Sequence, residues 1–201
     1  MSLAALWYLN RATGVVSLLL FTLVAVLGLL LGGRPPAGPA ARTFGIGLHR
    51  IAGLLAVSFL VVHVGVAVLD NYVDIGVVSA VVPFTSGWRP MAVGLGTVAF
   101  DLTLAIIATS LLRTRLDPRA WKVVHWSAYA ALPLAVLHAL TAGTDLGTGL
   151  LRWITLGCTA AVVAAAGWRW SRAKRPEIPA AIGTAYDDGR RRATRTPART
   201  R

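Results

Sequence analysis

The chain has 201 residues, of which 56% are hydrophobic and 14% are charged, and its mean hydropathy is +0.66. This composition excludes an ordinary soluble domain and indicates an integral membrane protein. Because one span needs about 20 apolar residues, the length admits five or six transmembrane helices and leaves little room for a soluble catalytic domain.

The formal net charge of +12 does not indicate nucleic acid as a partner, because the basic residues cluster at predicted span ends rather than on a reading surface. Half of the excess lies in 171–201, which has nine basic and three acidic residues. A basic flank after the last span is the usual cytoplasmic signal and attracts anionic lipid. We therefore expect 171–201 to be a disordered cytoplasmic tail, with membrane lipid as its neighbour.

Five stretches of the chain are apolar and long enough to cross a bilayer. In order, they cover 13–32, 44–69, 91–112, 121–145 and 150–170. The stretch 70–90 is interrupted by Pro83 and Gly87, which indicates an interfacial or re-entrant segment between the second and third helices. The predicted fold is all-α, a polytopic membrane bundle of five transmembrane helices that forms one domain, 1–170, ahead of the tail.

Basic residues fall unevenly on the two sides of this bundle. One side has the tail with Arg34, Arg42, Arg113, Arg115, Arg119 and Lys122, and the other has Arg11, Arg89 and Arg152. The richer side faces the cytoplasm by the positive-inside rule. We expect a bacterial plasma membrane protein, since arginine greatly exceeds lysine, with its N-terminus outside and its C-terminus inside. The second and fourth helices then both run outward.

All four histidines of the chain lie in the second and fourth predicted spans, two in each. His49 and His125 follow an arginine of the preceding basic connection by seven and six residues, so they lie at matching depth near the cytoplasmic face. His63 comes 14 residues after His49, and His138 comes 13 after His125. At 1.5 Å per residue, this second pair lies about 20 Å further along the helices.

Histidine in a membrane span is costly and usually serves a cofactor, a proton relay or an ion path. Two neutral imidazoles that face each other across a bundle suit a six-coordinate, bis-histidine haem, which favours electron transfer. One zinc or copper site built from all four histidines is excluded, because metal–ligand bonds are only about 2 Å long. A histidine-lined proton or ion pathway is the alternative, although Asp101 is the only acidic residue in the interior of a predicted span, Asp145 being the last residue of the fourth.

Helical phase allows two arrangements of the histidines in the fourth span. At about 100° per residue, His63 falls within about 40° of His49, whereas His138 falls about 140° from His125. Pro133 lies between the latter two and can kink the helix so that both point inward. Otherwise the two haems would sit at different azimuths.

Several charged residues are further candidates. Asp101 lies near the middle of the third span, where it either accepts a histidine N–H, stays protonated without a function, or moves protons. Arg50 on the inner side and Arg11, Arg89 and Arg152 on the outer side are placed to pair with haem propionates. Interfacial anchoring explains these arginines equally well.

The chain resembles the ferric reductase-like transmembrane domain family, which includes ferric reductases, NADPH oxidases and the haem subunit of the bacterial methionine sulfoxide reductase system. The resemblance covers about 7–170 and rests on LHRIAGLLAVSFLVVH, on HWSAYAALPLAVLH and on the basic loop before the latter. It implies that His49 and His125 ligate an inner haem b, and that His63 and His138 ligate an outer one.

Two departures from the family shape what the resemblance implies. The family commonly has six helices, whereas we expect the five-helix core alone, and no flavin or nicotinamide domain follows the last span. The expected protein is a di-haem b-type cytochrome and oxidoreductase component. A separate flavoprotein reductase or quinol would donate the electrons, so that flavin or quinone enters through a partner, and an unknown outer-side acceptor would receive them. A haem-bearing membrane anchor for a separate oxidoreductase is the other alternative.

Overall fold

The structure is a computed structural model that describes residues 3–32, 38–70, 73, 75–143 and 149–173. Within this part of the chain the secondary structure is helix and turn, with no strand. Most of the predicted tail, 174–201, lies outside the described residues.

Six α-helices form the bundle in the part of the chain that the structure describes. They are α1 (Leu3–Leu31), α2 (Pro39–Leu69), α3 (Pro90–Leu111), α4 (Pro118–Trp126), α5 (Ala128–Ala142) and α6 (Leu150–Ala173). The helices α4 and α5 together make one membrane-length element, Pro118–Ala142, so five elements are long and apolar enough to cross a membrane. The predicted all-α bundle of five spans is confirmed. The last helix continues three residues past the predicted end of the final span.

Proline and aspartate set the starts of the helices. Pro39, Pro90 and Pro118 each stand in the first turn of a helix, where the missing N–H of proline is not needed. Asp117 caps α4, since its carboxylate accepts from the backbone N–H groups of Arg119 and Ala120, both at 3.0 Å. The helices α1 and α2 begin ten and five residues before the predicted apolar spans, because each helix continues through polar residues such as Arg11 and Arg42.

The fourth span is broken at Ser127 rather than at Pro133. The N–H of Ser127 bonds to the Val124 carbonyl at 3.0 Å, and its hydroxyl donates to the same carbonyl at 2.7 Å. This tight turn ends α4, and α5 then runs without interruption through Pro133. The i to i−3 hydrogen bond at Ser127 departs from the regular 3.6-residue repeat on which the predicted phase of His138 is based.

Packing within the bundle leaves a central cavity. The helix α1 packs against α2 and α6, and α3 packs against α5. Hydroxyl groups buried in the helices bond to the carbonyl four residues earlier, as Ser17 does to Thr13 at 2.8 Å and Thr103 to Ala99 at 2.7 Å. These buried hydroxyl groups are therefore satisfied without water, as a membrane interior requires.

The connection from α2 to α3 covers one end of this cavity. It contains a single 3₁₀ turn, Val78–Ala80, and Val73, Ser79 and Trp88 line the cavity wall. The Thr97 hydroxyl of α3 holds the turn by donating to the Ser79 carbonyl at 2.6 Å. No membrane-length helix occurs in the described residues of this connection, in keeping with the predicted interfacial or re-entrant segment. We call the end it covers the outer end, following the predicted orientation.

Candidate functional site

The central cavity has a volume of about 1560 Å³ and is lined by all four histidines. A pocket for one drug-sized ligand has only about 300–1,000 Å³, so this cavity admits more than one large group. Its remaining wall is largely apolar, with Leu18, Phe21, Phe100 and Leu132 among the side chains that line it.

The histidines meet in two pairs across the cavity. The ring centroids of His49 and His125, the inner pair, are 6.3 Å apart with an interplanar angle of 58°. Those of His63 and His138, the outer pair, are also 6.3 Å apart, with an angle of 77°. The structure therefore brings together the same partners that the sequence predicted, and α2 runs parallel to α4 and α5. Both histidines of the fourth span line the cavity, His125 on α4 before the turn at Ser127 and His138 on α5 after it.

Three of the four imidazoles are fixed by a backbone carbonyl of a neighbouring helix. These Nδ1 contacts are His49 to Val24 (3.0 Å), His63 to Asn10 (2.9 Å) and His138 to Ala92 (2.8 Å). A carbonyl oxygen only accepts, so each Nδ1 carries the hydrogen and donates it. The Nε2 atom of a neutral ring then keeps its lone pair and is available as a ligand.

His125 is held in a different way. Its Nδ1 is buried and has no hydrogen-bond partner among the described residues. The ring instead stacks on Trp121, with centroids 5.0 Å apart and an angle of 24°. The Trp121 indole N–H lies 3.4 Å from the Ser110 hydroxyl, and the Arg113 guanidinium lies 4.7 Å from the Trp121 ring centroid. Arg113, Trp121 and His125 thus form a stack that connects a basic residue at the inner end of the cavity to the inner histidine pair.

The predicted arginines lie in different places. Arg11 and Arg50 line the cavity. Arg89 donates to the Thr141 carbonyl at 2.9 Å and so caps the last turn of α5; it is outside the lining of the central cavity. Arg152 is exposed in the first turn of α6. The structure therefore places two of the four arginines where a group in the cavity can reach them.

Three basic residues that line the cavity, Arg113, Lys122 and Arg169, were not among the site candidates of the sequence analysis. Arg169 of α6 lines the cavity at the end of the inner pair. Its guanidinium donates to the Leu29 carbonyl of α1 at 3.3 Å and lies directly against Gly32. Its position near the end of a span made it look like an ordinary interfacial residue. The glycine that makes room for it was the only available signal.

Asp101 takes no part in this arrangement. It belongs to the face of α3 turned away from the cavity, whereas Phe100 and Thr103 line the cavity wall. Among the described residues, no group of three or more His, Cys, Asp or Glu side chains is placed to hold a metal ion. The cavity therefore offers paired imidazoles rather than a compact metal cluster.

A bundle of five membrane-length elements around an apolar cavity with two histidine pairs defines a polytopic membrane protein with a candidate cofactor site. The family model for the ferric reductase like transmembrane component matches residues 13–136, and the chain belongs to this family. It is thus a multi-pass, ferric reductase-like membrane electron-transfer component. The match includes His49, His63 and His125 and ends two residues before His138. Comparisons with curated proteins and with solved structures gave no significant match.

Proposed function

We propose that the chain is a di-haem b-type cytochrome that passes single electrons across the bacterial plasma membrane. The observation that carries this proposal is the pair of equal separations, 6.3 Å between ring centroids at both levels of the cavity. The donor is a cytoplasmic flavoprotein reductase or a quinol, and the acceptor lies on the outer side.

The separation fits one iron between the two rings of each pair. A metal–nitrogen bond of about 2 Å on each side, plus about 1 Å from nitrogen to ring centre, separates two axial imidazole centroids by about 6 Å. The hydrogen on Nδ1 of three histidines leaves Nε2 free for such a bond. The backbone carbonyl that accepts from each Nδ1 fixes ring orientation and raises the basicity of the ligand.

Each residue of the site has a separate task in this proposal. His49 and His125 hold the inner haem, and His63 and His138 hold the outer one. Haem bound in this way supplies a one-electron carrier with no open coordination position. The apolar wall keeps water away from both levels. Arg50 at the inner end and Arg11 at the outer end meet the propionates, while the same role for Arg89 stays a prediction.

The distance between the levels supports transfer from one to the other. His49 and His63 are 14 residues apart on α2, which corresponds to about 21 Å between the two ligands along the helix. The two histidine pairs would thus hold two one-electron carriers at different depths of the same cavity, so that an electron could pass from one level to the other.

Charge at the inner end supports a donor on that side. Four basic residues line the cavity there: Arg50, Arg113, Lys122 and Arg169. A cationic rim attracts a donor with an acidic surface or an anionic cofactor. The alternative of a proton pathway is less well supported, because the membrane-embedded carboxyl of Asp101 lies outside the cavity lining.

Visible spectroscopy of the purified protein tests the proposal. We expect a b-type reduced-minus-oxidised spectrum on addition of dithionite. Folded protein that was prepared with ample haem and gave no such spectrum would overturn the proposal. In liposomes with reductant trapped inside, the protein should reduce external ferricyanide. Haem that is reducible but passes no electron to any added acceptor would indicate a haem-bearing anchor subunit instead.

A further inference from the structure

Each of the three carbonyls that hold a histidine is followed, four residues later on the same helix, by a glycine. The pairs of carbonyl and glycine are Asn10 with Gly14, Val24 with Gly28, and Ala92 with Gly96. In each case the glycine lies against the same imidazole that the carbonyl binds. We call each pair a carbonyl–glycine notch.

Helix geometry explains this spacing. The carbonyl of residue i already accepts the N–H of residue i+4 and has one further lone pair. Every Cα–Cβ bond tilts toward the N-terminus of its helix, so a side chain at i+4 leans over the carbonyl of residue i. Glycine at i+4 leaves that second lone pair open to a donor from a neighbouring helix.

The three notches differ in how closely the histidine fits. A Cβ on Gly96 would lie 2.6 Å from Nδ1 of His138, and a Cβ on Gly14 would lie 3.0 Å from Nδ1 of His63. A Cβ on Gly28 would lie 3.4 Å from Cε1 of His49, which is close to ordinary contact. The geometry therefore ranks the three glycines by the displacement that alanine would force.

The notches on α1 also match the ligands on α2 in register. Gly14 and Gly28 are separated by 14 positions, as are His49 and His63. Because α1 and α2 run in opposite directions, the first glycine meets the second histidine and the second glycine meets the first. The antiparallel helices α1 and α2 thus contain two carbonyl–glycine notches, each of which holds one histidine.

We propose that Gly14, Gly28 and Gly96 are positioning residues, each of which uncovers one carbonyl that fixes the tautomer and aim of one histidine. Their effect on haem rests on the proposed function, whereas their effect on the tautomer does not. His125 has no notch and relies on the Trp121 stack, so the inner pair has one carbonyl-fixed ligand and the outer pair has two.

The test has one readout that needs no haem. In haem-free protein with ¹⁵N-labelled histidine, imidazole shifts report which ring nitrogen carries the hydrogen. We expect three histidines with the hydrogen on Nδ1 in the unmodified chain, and two in Gly96→Ala and in Gly14→Ala. Gly65→Ala and Gly157→Ala are the matched controls, because a Cβ at Gly157 or at Gly65 meets no atom within 4 Å, and both should keep all three.

Haem affinity supplies the second readout. Loss of an outer-shell partner typically weakens metal binding by about 10–100-fold, so Gly96→Ala should weaken outer haem binding by a factor in this range. Gly14→Ala should have a smaller effect on the same haem, and Gly28→Ala the smallest, on the inner one. If Gly96→Ala does not give monodisperse protein, Gly14→Ala decides the matter.

Two failures are distinguishable in this design. Notch variants that keep the tautomer of the control variants would overturn the positioning role, whatever haem does. An unmodified chain with three Nδ1–H histidines but no haem affinity would overturn the proposed function, while the positioning role of the glycines would still hold. Unaltered haem affinity in Gly96→Ala and Gly14→Ala, with the tautomer changed, would contradict the role of the notches in holding haem.

Discussion

Trp121 stacks on His125 with ring centroids 5.0 Å apart and nearly parallel planes. No other histidine of the cavity is described with such a stack, and His125 is also the one whose Nδ1 has no partner among the described residues. An aromatic contact thus takes the place of a hydrogen bond at one position of the inner pair. The two levels of the cavity are alike in spacing but different in how their ligands are held.

Loss of the stack should weaken the inner site alone. Trp121→Leu removes an aromatic pair worth about 0.5–1.5 kcal/mol, which corresponds to an increase of roughly two- to tenfold in dissociation of the inner haem. Trp121→Phe keeps a ring in place and should lose much less. Haem transfer to an excess of a haem-scavenging protein measures this. Equal loss in the two variants would contradict an orienting role for the ring.

The charge of Arg169 should tune the inner centre. Its guanidinium lies at the inner end of the cavity, and a nearby cation favours the reduced, less positive iron over the oxidised one. We expect Arg169→Gln to lower the inner midpoint potential by some tens of millivolts and to leave the outer potential unchanged. Arg169→Lys keeps the charge and is the control. Spectroelectrochemical titration in which both variants shift alike would point to packing against α1 instead.

Asp101 should be dispensable for electron transfer. It lies on the face of α3 away from the cavity, so Asp101→Asn should leave the haem content, both midpoint potentials and ferricyanide reduction from liposomes unaltered. A proton pathway through the bundle makes the opposite prediction, since its only membrane-embedded carboxyl would be lost. A fall in electron transfer in Asp101→Asn, with haem content intact, would require a proton-coupled role.

Pro133 should not be needed to aim the histidines. The break in the fourth span lies at Ser127, and α5 continues through Pro133. Pro133→Ala restores a backbone donor within the helix, so we expect both haems to bind and thermal stability to stay equal or rise. Ser127→Leu, which removes the hydroxyl that bonds to Val124, should instead disturb the inner pair. Loss of haem from Pro133→Ala with no effect of Ser127→Leu would reverse this assignment.

The sequence predicted the depth of each histidine in the membrane but not the direction in which its side chain points. The 14- and 13-residue spacings fix height along a helix, because rise per residue is nearly constant, and both pairs formed as predicted. The azimuth of His138 could not be predicted from the 13-residue spacing, because the fourth span is interrupted by a turn at Ser127 that hydropathy does not reveal. Gly14, Gly28 and Gly96 are ordinary residues for a membrane helix when taken singly. Their role becomes visible only in the structure, where a histidine of another helix lies against each of them.

The arginines show a similar limit. Arg50 is adjacent to His49 in sequence and lines the cavity, but Arg169 reaches the same cavity from α6, far along the chain. Arg89 has a partner of its own in the Thr141 carbonyl. Which basic residue of a span end turns inward is decided by helix rotation, and charge counting gives only the side of the membrane.

The most direct test of the account is the number of haems per polypeptide in the unmodified chain and in His138→Ala and His125→Ala. We predict two haems in the unmodified protein and one in each variant, with the outer haem lost from His138→Ala and the inner one from His125→Ala, as their different potentials will reveal. Folded, unmodified protein that binds no haem, or a single substitution that removes both haems or neither, would contradict two separate histidine-paired sites.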